Sequence, residues 1–213
     1  MGYERYKWPR RPVFLTFSSS RSVHCAQRPT GGFLLSSERP LPDEEGPLVH
    51  ELANLPFRPF DFHGYLATRQ VVSFGDRCDY DRRAVVEASP FPSFLVFLRN
   101  KIAAIFYRSA EIFRQVLINE YRPGAGIGWH HDKAQFDEVV GLSLLAPCVL
   151  RFRQKAGETW DRESITSEQF SVYLLSGAAR TVWEHCIPAL DQLRYSITLR
   201  TLVAKAPSGE ERM

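Results

Sequence analysis

From Val116 to Leu202 the chain is a succession of short segments that favour β-structure. They are Val116 to Tyr121, Ile127 to Asp132, Glu138 to Leu145, Cys148 to Gln154, Ser164 to Ile165, Phe170 to Leu175, Thr181 to Cys186 and Arg194 to Leu202. Turns bearing Gly, Pro or Asp separate them, and strands this short at this spacing pack as a sandwich or a jelly roll. Ahead of them, Leu95, Leu98, Ile102, Ile105 and Phe106 recur at helical spacing. The stretch from Phe94 toward Phe113 therefore predicts a helix packed on the outside of a sheet. A shorter helix is predicted over 43–55, with an acidic first turn and Leu48, Val49, Leu52 and Leu55 as its apolar face. The expected class is mainly β (α+β).

At 213 residues the chain suits one domain with short extensions. Its 44% hydrophobic and 24% charged content is that of an ordinary globular protein, and no apolar run reaches the ~20 residues of a membrane helix. No membrane partner is expected. The net charge of +3 permits a polyanionic partner without requiring one. Cys25, Cys78, Cys148 and Cys186 form no Cys-x-x-Cys pair, which argues against a zinc knuckle and against a secreted disulfide scaffold. Free thiols in a reducing cytoplasm are expected instead. The arginine- and serine-rich start is also compatible with an organelle transit peptide. The reading adopted is a poorly ordered basic lead-in over 1–42, a domain over 43–204 and a disordered tail over 205–213.

The chemistry centres on residues 115–132. An apolar run, Val116-Leu117-Ile118, leads to Asn119 and Tyr121, then to the flexible link Pro123-Gly124-Ala125-Gly126 and on to His130-His131-Asp132. Side chains alternate along a strand, so His130 and Asp132 share a face and His131 takes the other. An imidazole and a carboxylate so placed are two-thirds of the facial triad that holds non-haem Fe(II). His131 paired with Lys133 offers nothing comparable. A third ligand must come from elsewhere, and His185 within Trp183-Glu184-His185-Cys186-Ile187-Pro188 is a candidate. Farther on, Arg194, Ser196, Thr198 and Arg200 share one face of a strand whose other face is apolar. Two guanidinium groups there are costly unless they meet an anion.

These pieces together resemble the AlkB family of Fe(II)/2-oxoglutarate dioxygenases. The resemblance rests on Asn119-Glu120-Tyr121, Pro123-Gly124-Ala125, His130-x-Asp132 followed by Lys133, His185, Arg194 and Arg200, and spans roughly residues 50–203. It implies a double-stranded β-helix (jelly roll) with flanking N-terminal helices and a lid. It implies Fe(II), 2-oxoglutarate and O2 as cofactors, with His130, Asp132 and His185 on the metal. It further implies that Arg194 grips the distal carboxylate of 2-oxoglutarate and that Asn119 and Tyr121 donate hydrogen bonds to it. Arg200 lies near the other carboxylate and Asp132. Where the family often has asparagine this chain has Ser196, so that contact is shortened or bridged by water.

Members that repair nucleic acid hold a flipped base between an aromatic side chain and a histidine. By that likeness the lid is expected at about 57–83, and substrate contacts at Phe62, His63, Tyr65, Arg69 and Tyr80, with His131 beside the metal. Phe57 to Leu66 reads as extended, Arg69 to Gly75 as a strand and Asp76 to Asp81 as a turn. Arg77, Arg82, Arg83 and Lys101 add charge suited to phosphates. Some members place a second aspartate after His-x-Asp-Lys, whereas here Ala134 and Gln135 follow, so no base preference transfers. The implied activity is oxidative dealkylation of N-alkylated bases in DNA or RNA, releasing formaldehyde, succinate and CO2. The expected partner is alkylated single-stranded DNA, and the expected state is a monomer. A protein or small-molecule substrate is the competing reading, and a silent nucleic-acid-binding module the third.

Overall fold

A computed structural model describes residues 33–36, 45–62, 65–79, 84–86 and 89–203. In chain order the elements are β1 (Phe33–Ser36), α1 (Glu45–Ala53), β2 (Arg58–Phe62), β3 (Tyr65–Gly75), β4 (Arg77–Asp79), β5 (Ala84–Val86) and α2 (Ser93–Ile105). There follow β6 (Phe113–Tyr121), β7 (Ile127–His130), β8 (Phe136–Leu144), β9 (Cys148–Ala156), β10 (Thr159–Ser167), β11 (Val172–Leu175), α3 (Gly177–Thr181), β12 (Glu184–Ile187) and β13 (Arg194–Leu202). A large sheet runs β1-β11-β8-β13-β6-β3-β2, a small one runs β10-β9-β12-β7, and β4 and β5 form a separate ribbon. No helix among the described residues is long and apolar enough to cross a membrane.

Alternation along the large sheet builds two cores. On one face Val116, Ile118, Val140, Leu142, Leu144, Val172, Leu174, Ile197 and Leu199 pack against Leu48 and Leu52 of α1 and Leu95, Leu98 and Ile102 of α2. The helix predicted from those spacings therefore covers the sheet from outside, as expected. On the opposite face Tyr121, Val139, Tyr173 and Leu175 meet Cys148, Leu150, Phe152, Trp183 and Ile187 from the small sheet and its approach. Each fully buried aliphatic side chain contributes about 1.5–3 kcal/mol. Arg194, Ser196, Thr198 and Arg200 of β13 and Gln115 and Asn119 of β6 lie on this second face, between the two sheets.

Several expectations change. Phe33–Ser36, within the predicted lead-in, pairs with β11 at the edge of the large sheet. Most of the segment expected as a lid is sheet: β2 and β3 extend the large sheet beyond β6, because Val72 and Phe74 face the first core. Pro59 is tolerated there because β2 is an edge strand. Residues 77–79 pair with 84–86 rather than forming a simple turn. The expected two-residue strand at Ser164-Ile165 is a nine-residue partner of β9. Thr181 ends a short helix instead of opening a strand, and β7 stops at His130, before Asp132.

The link 123–126, expected to be flexible, is docked. Gly124 N–H donates to the Leu190 carbonyl at 2.7 Å, and Leu190 N–H to the Ala125 carbonyl at 3.0 Å. A Cβ on Gly126 would lie 2.7 Å from the Ile187 carbonyl oxygen and 2.9 Å from the Ala189 nitrogen. Glycine is thus required where the β6–β7 link crosses the end of β12.

Candidate active site

β7 and β12 pair antiparallel with His130 directly opposite His185. Cross-strand partners project from the same face, so both imidazoles enter the space between the sheets, with ring centroids 4.3 Å apart. Asp132, just past β7, turns back toward them. Its Oδ2 lies 3.8 Å from His185 Nε2, and the ligand atoms of all three residues fall within 4.8 Å of one another. Such a group can hold a metal ion. His130 Nδ1 donates to the Gly128 carbonyl at 2.9 Å, which leaves Nε2 as the ligand nitrogen. Burial lowers the pKa of both histidines, that of His185 to about 4, so both are neutral at physiological pH. Burial pushes the Asp132 carboxyl up, but Arg200, His185, His130 and Arg180 together hold it below its ordinary value. Two neutral imidazoles and an ionised carboxylate are the forms that bind metal.

The basic wall comes from β13. In the ladder with β6, Arg194 faces Tyr121, Ser196 faces Asn119 and Arg200 faces Gln115. Arg194 is fully buried, and its Nε donates to Ser143 Oγ at 2.9 Å. Its two terminal nitrogens have no hydrogen-bond partner among the described residues. Asn119 Oδ1 accepts from Arg69 Nε at 3.1 Å, which leaves the amide nitrogen of Asn119 as a donor. Burial raises the pKa of the Tyr121 phenol, which stays protonated and able to donate. Arg200 bridges two neighbours, donating to Gln115 Oε1 at 3.1 Å and lying 3.5 Å from Asp132 Oδ1.

Residues 44–200 match the 2OG-Fe(II) oxygenase superfamily. The chain belongs to that superfamily. The Alkylated DNA repair protein ALKBH8 homolog of Arabidopsis thaliana is 31% identical over 106 residues, which cover 41% of this chain and 31% of that protein. The tRNA (carboxymethyluridine(34)-5-O)-methyltransferase ALKBH8 of Mus musculus is 30% identical over 132 residues, 60% of this chain and 19% of that protein. The chain thus spans less than a third of the length of these curated relatives. Among solved structures, OsALKBH1 superposes with a TM-score of 0.62 at 14% identity, covering 84% of this chain and 100% of that one. A 2OG-Fe(II) oxygenase family oxidoreductase from Burkholderia pseudomallei gives 0.55 at 17% identity, covering 80% and 85%. At these identities the structural likeness shows the fold alone, and the fold is the jelly roll. Within that superfamily the chain is similar to AlkB-like proteins, and the cofactors of the superfamily are Fe(II), 2-oxoglutarate and O2.

The residues of this oxygenase fit those groups. A buried guanidinium with both terminal nitrogens unpartnered is unfavourable by itself and is completed by a carboxylate. Three sequence-silent residues complete the picture. Ser143 anchors Arg194, and Gln115 anchors Arg200 while donating to the Asp76 carbonyl at 2.8 Å. Arg180 of α3, nearly fully buried, reaches the carbonyls of Asp132 and Ala134, each at 3.5 Å. A lone arginine after Ser176-Gly177-Ala178-Ala179 was the only sequence signal for it.

The substrate contacts expected from the sequence fare differently. His131 is exposed beside His130. Phe62 and Tyr65 lie on β2 and β3, but their side chains are not among those described, and His63, Tyr80, Arg82 and Arg83 lie outside the described residues. Arg69 departs from the picture of a phosphate-seeking lid residue. It is buried at 7% exposure, sits 4.4 Å from the Phe60 ring and is held by Asn119, because β3 turns it inward.

Proposed function

We propose that this oxygenase removes an N-alkyl group from a base in single-stranded nucleic acid, with an RNA as well as a DNA strand within its range. His130, Asp132 and His185 hold Fe(II), and Arg194, with Asn119, Tyr121 and Ser196, holds 2-oxoglutarate. The observation that carries this reading is the unpartnered fork of Arg194 in the same inter-sheet space as the triad. Bound iron, 2-oxoglutarate and O2 supply the oxidant that hydroxylates the alkyl carbon. The oxygen balance is complete: one atom of O2 leaves in succinate and the other in formaldehyde, while 2-oxoglutarate loses CO2 and the base regains N–H.

The chain's own residues bind and orient. Arg194 offers two parallel N–H donors to one carboxylate, a geometry that lysine cannot reproduce. Arg200 keeps Asp132 ionised and fixes one of its oxygens. Tyr121 and Asn119 donate to the co-substrate from the facing strand. Phe152, Leu150 and Trp183 exclude water from the space behind it. His131, exposed beside the metal ligands, is proposed as one face for the base, with Phe62, His63, Tyr65 and Tyr80 kept as candidate contacts and Arg69 acting from beneath through Asn119.

A nucleic-acid substrate is supported by the relatives, of which one is named for repair of alkylated DNA and another for modification of a tRNA uridine. The metal and co-substrate residues all come from one chain, which supports a working monomer. The free, buried Cys148 and Cys186 support a reducing compartment such as the cytoplasm. The test is loading with Fe(II) and 2-oxoglutarate without oxygen, then aerobic incubation with methylated single-stranded DNA, methylated RNA and a protein extract. Succinate should rise with a methylated nucleic acid. A rise with the protein extract alone would replace this reading with protein hydroxylation.

A further inference from the structure

The small sheet has a second face, turned away from the triad. On β9 and β10 the residues opposite one another include Lys155 with Trp160, Arg153 with Arg162, and Arg151 with Ser164. Phe152, between Arg151 and Arg153, packs in the inter-sheet core, so these pairs occupy the outer face. Arg151, Lys155, Trp160 and Arg162 are exposed. The Arg153 guanidinium lies 4.4 Å from the Trp160 ring and 4.4 Å from the Trp129 ring, and Lys155 Nζ lies 5.2 Å from Trp160. Glu184, on this face, is already engaged by Arg153. Asp161 and Glu163 alternate to the other side. Arg151 and Arg162 have no carboxylate partner among the described residues.

The position of this face matters as much as its charge. β12 begins at Glu184, opposite Arg153, whereas β9 and β10 run on past that point to their turn. β7 leaves the sheet at the same end, at His130. The hairpin therefore projects at the metal end of the roll, and Trp129, the inner ring of the stack, is the chain neighbour of His130.

We infer that the outer face of β9 and β10 is a track for a single nucleic-acid strand, holding phosphates on Arg151, Lys155 and Arg162 and stacking a base on Trp160. It rests on the reading of the substrate as nucleic acid and adds where the flanking strand lies. An exposed aromatic ring interleaved with cations suits sugar-phosphate and unstacked bases, and an acidic peptide would use the charge but not the ring. RNA and DNA share this chemistry.

The test is binding, which needs no turnover. Fluorescence anisotropy of the full chain is measured with unmethylated single-stranded oligoribonucleotides and oligodeoxyribonucleotides, with polyglutamate as the acidic-peptide control. Three phosphate contacts predict a slope of log affinity against log salt of about −2. Lys155→Glu with Arg162→Glu should flatten that slope to about −0.7, and Trp160→Ala should weaken binding about tenfold at constant salt. Both changes are on the surface, and unchanged thermal melting confirms the fold. The inference is overturned if both variants bind as wild type does, or if polyglutamate competes equally and Trp160→Ala has no effect. Binding by this face without turnover of any methylated strand would instead sink the dealkylation reading and leave the track standing.

Discussion

At the scale of single residues the decisive feature is a charge without its counterion. Arg194 keeps one hydrogen bond, to Ser143, and leaves two buried nitrogens waiting. Arg194→Lys should raise the dissociation constant of 2-oxoglutarate roughly ten- to a hundredfold, the equivalent of ~1.5–3 kcal/mol for a charged hydrogen bond. Anaerobic titration calorimetry reads that change directly, and an unaltered constant would remove Arg194 from the role. Arg180 predicts a different phenotype. It holds the Asp132 loop through the backbone carbonyls of Asp132 and Ala134, so Arg180→Gln should weaken Fe(II) affinity about ten- to a hundredfold, as loss of outer support does at other metal sites. The affinity for 2-oxoglutarate, measured at saturating metal, should change far less. The two arginines were unequally legible. Arg194 and Arg200 sit at alternate positions of an apolar strand, a local pattern, while the significance of Arg180 and Ser143 arises from neighbours 48 and 51 residues away.

At the scale of elements, legibility followed burial on one face. β13 and α2 read clearly because their apolar residues recur with the period of the element. β10 was seen only at Ser164-Ile165, because it is an edge strand carrying Asp161, Arg162 and Glu163, with Ile165 packing against the inter-sheet core. The candidate metal strand shows a different case, because its reading rested on alternation along a single strand. His130 and Asp132 do converge, but Asp132 lies beyond the strand end, and the opposition of His130 and His185 across β7 and β12 organises the site. That opposition depends on the link at 123–126. Gly126→Ala would force the link away from the Ile187 carbonyl and cost about 1–3 kcal/mol, as overpacking of a filled site does. Urea unfolding should register the loss, and Fe(II) affinity should fall with it, because β7 and β12 would no longer be held in register. A variant as stable and as tight for iron as wild type would show that the link is not what aligns the two histidines.

At the scale of the whole molecule, the architecture is a helical layer, a large sheet and a small sheet, with polar chemistry confined to the gap between the sheets. The strand-rich C-terminal half was legible as a jelly roll because Gly, Pro and Asp punctuate it. The N-terminal side was less so: β2 and β3 read as a lid because aromatic and basic residues are concentrated there, yet the pairing of β3 with β6 and of β2 with β3 makes them part of the large sheet. The central claim is that this architecture couples decay of 2-oxoglutarate to dealkylation of a nucleic-acid base. The most direct test is the ratio of formaldehyde to succinate produced on a methylated single-stranded oligonucleotide, with Asp132→Ala as the metal-free control. The account predicts one formaldehyde per succinate above the substrate-free background, and neither product from the variant. Succinate unaffected by any methylated strand, with no formaldehyde released, would contradict it.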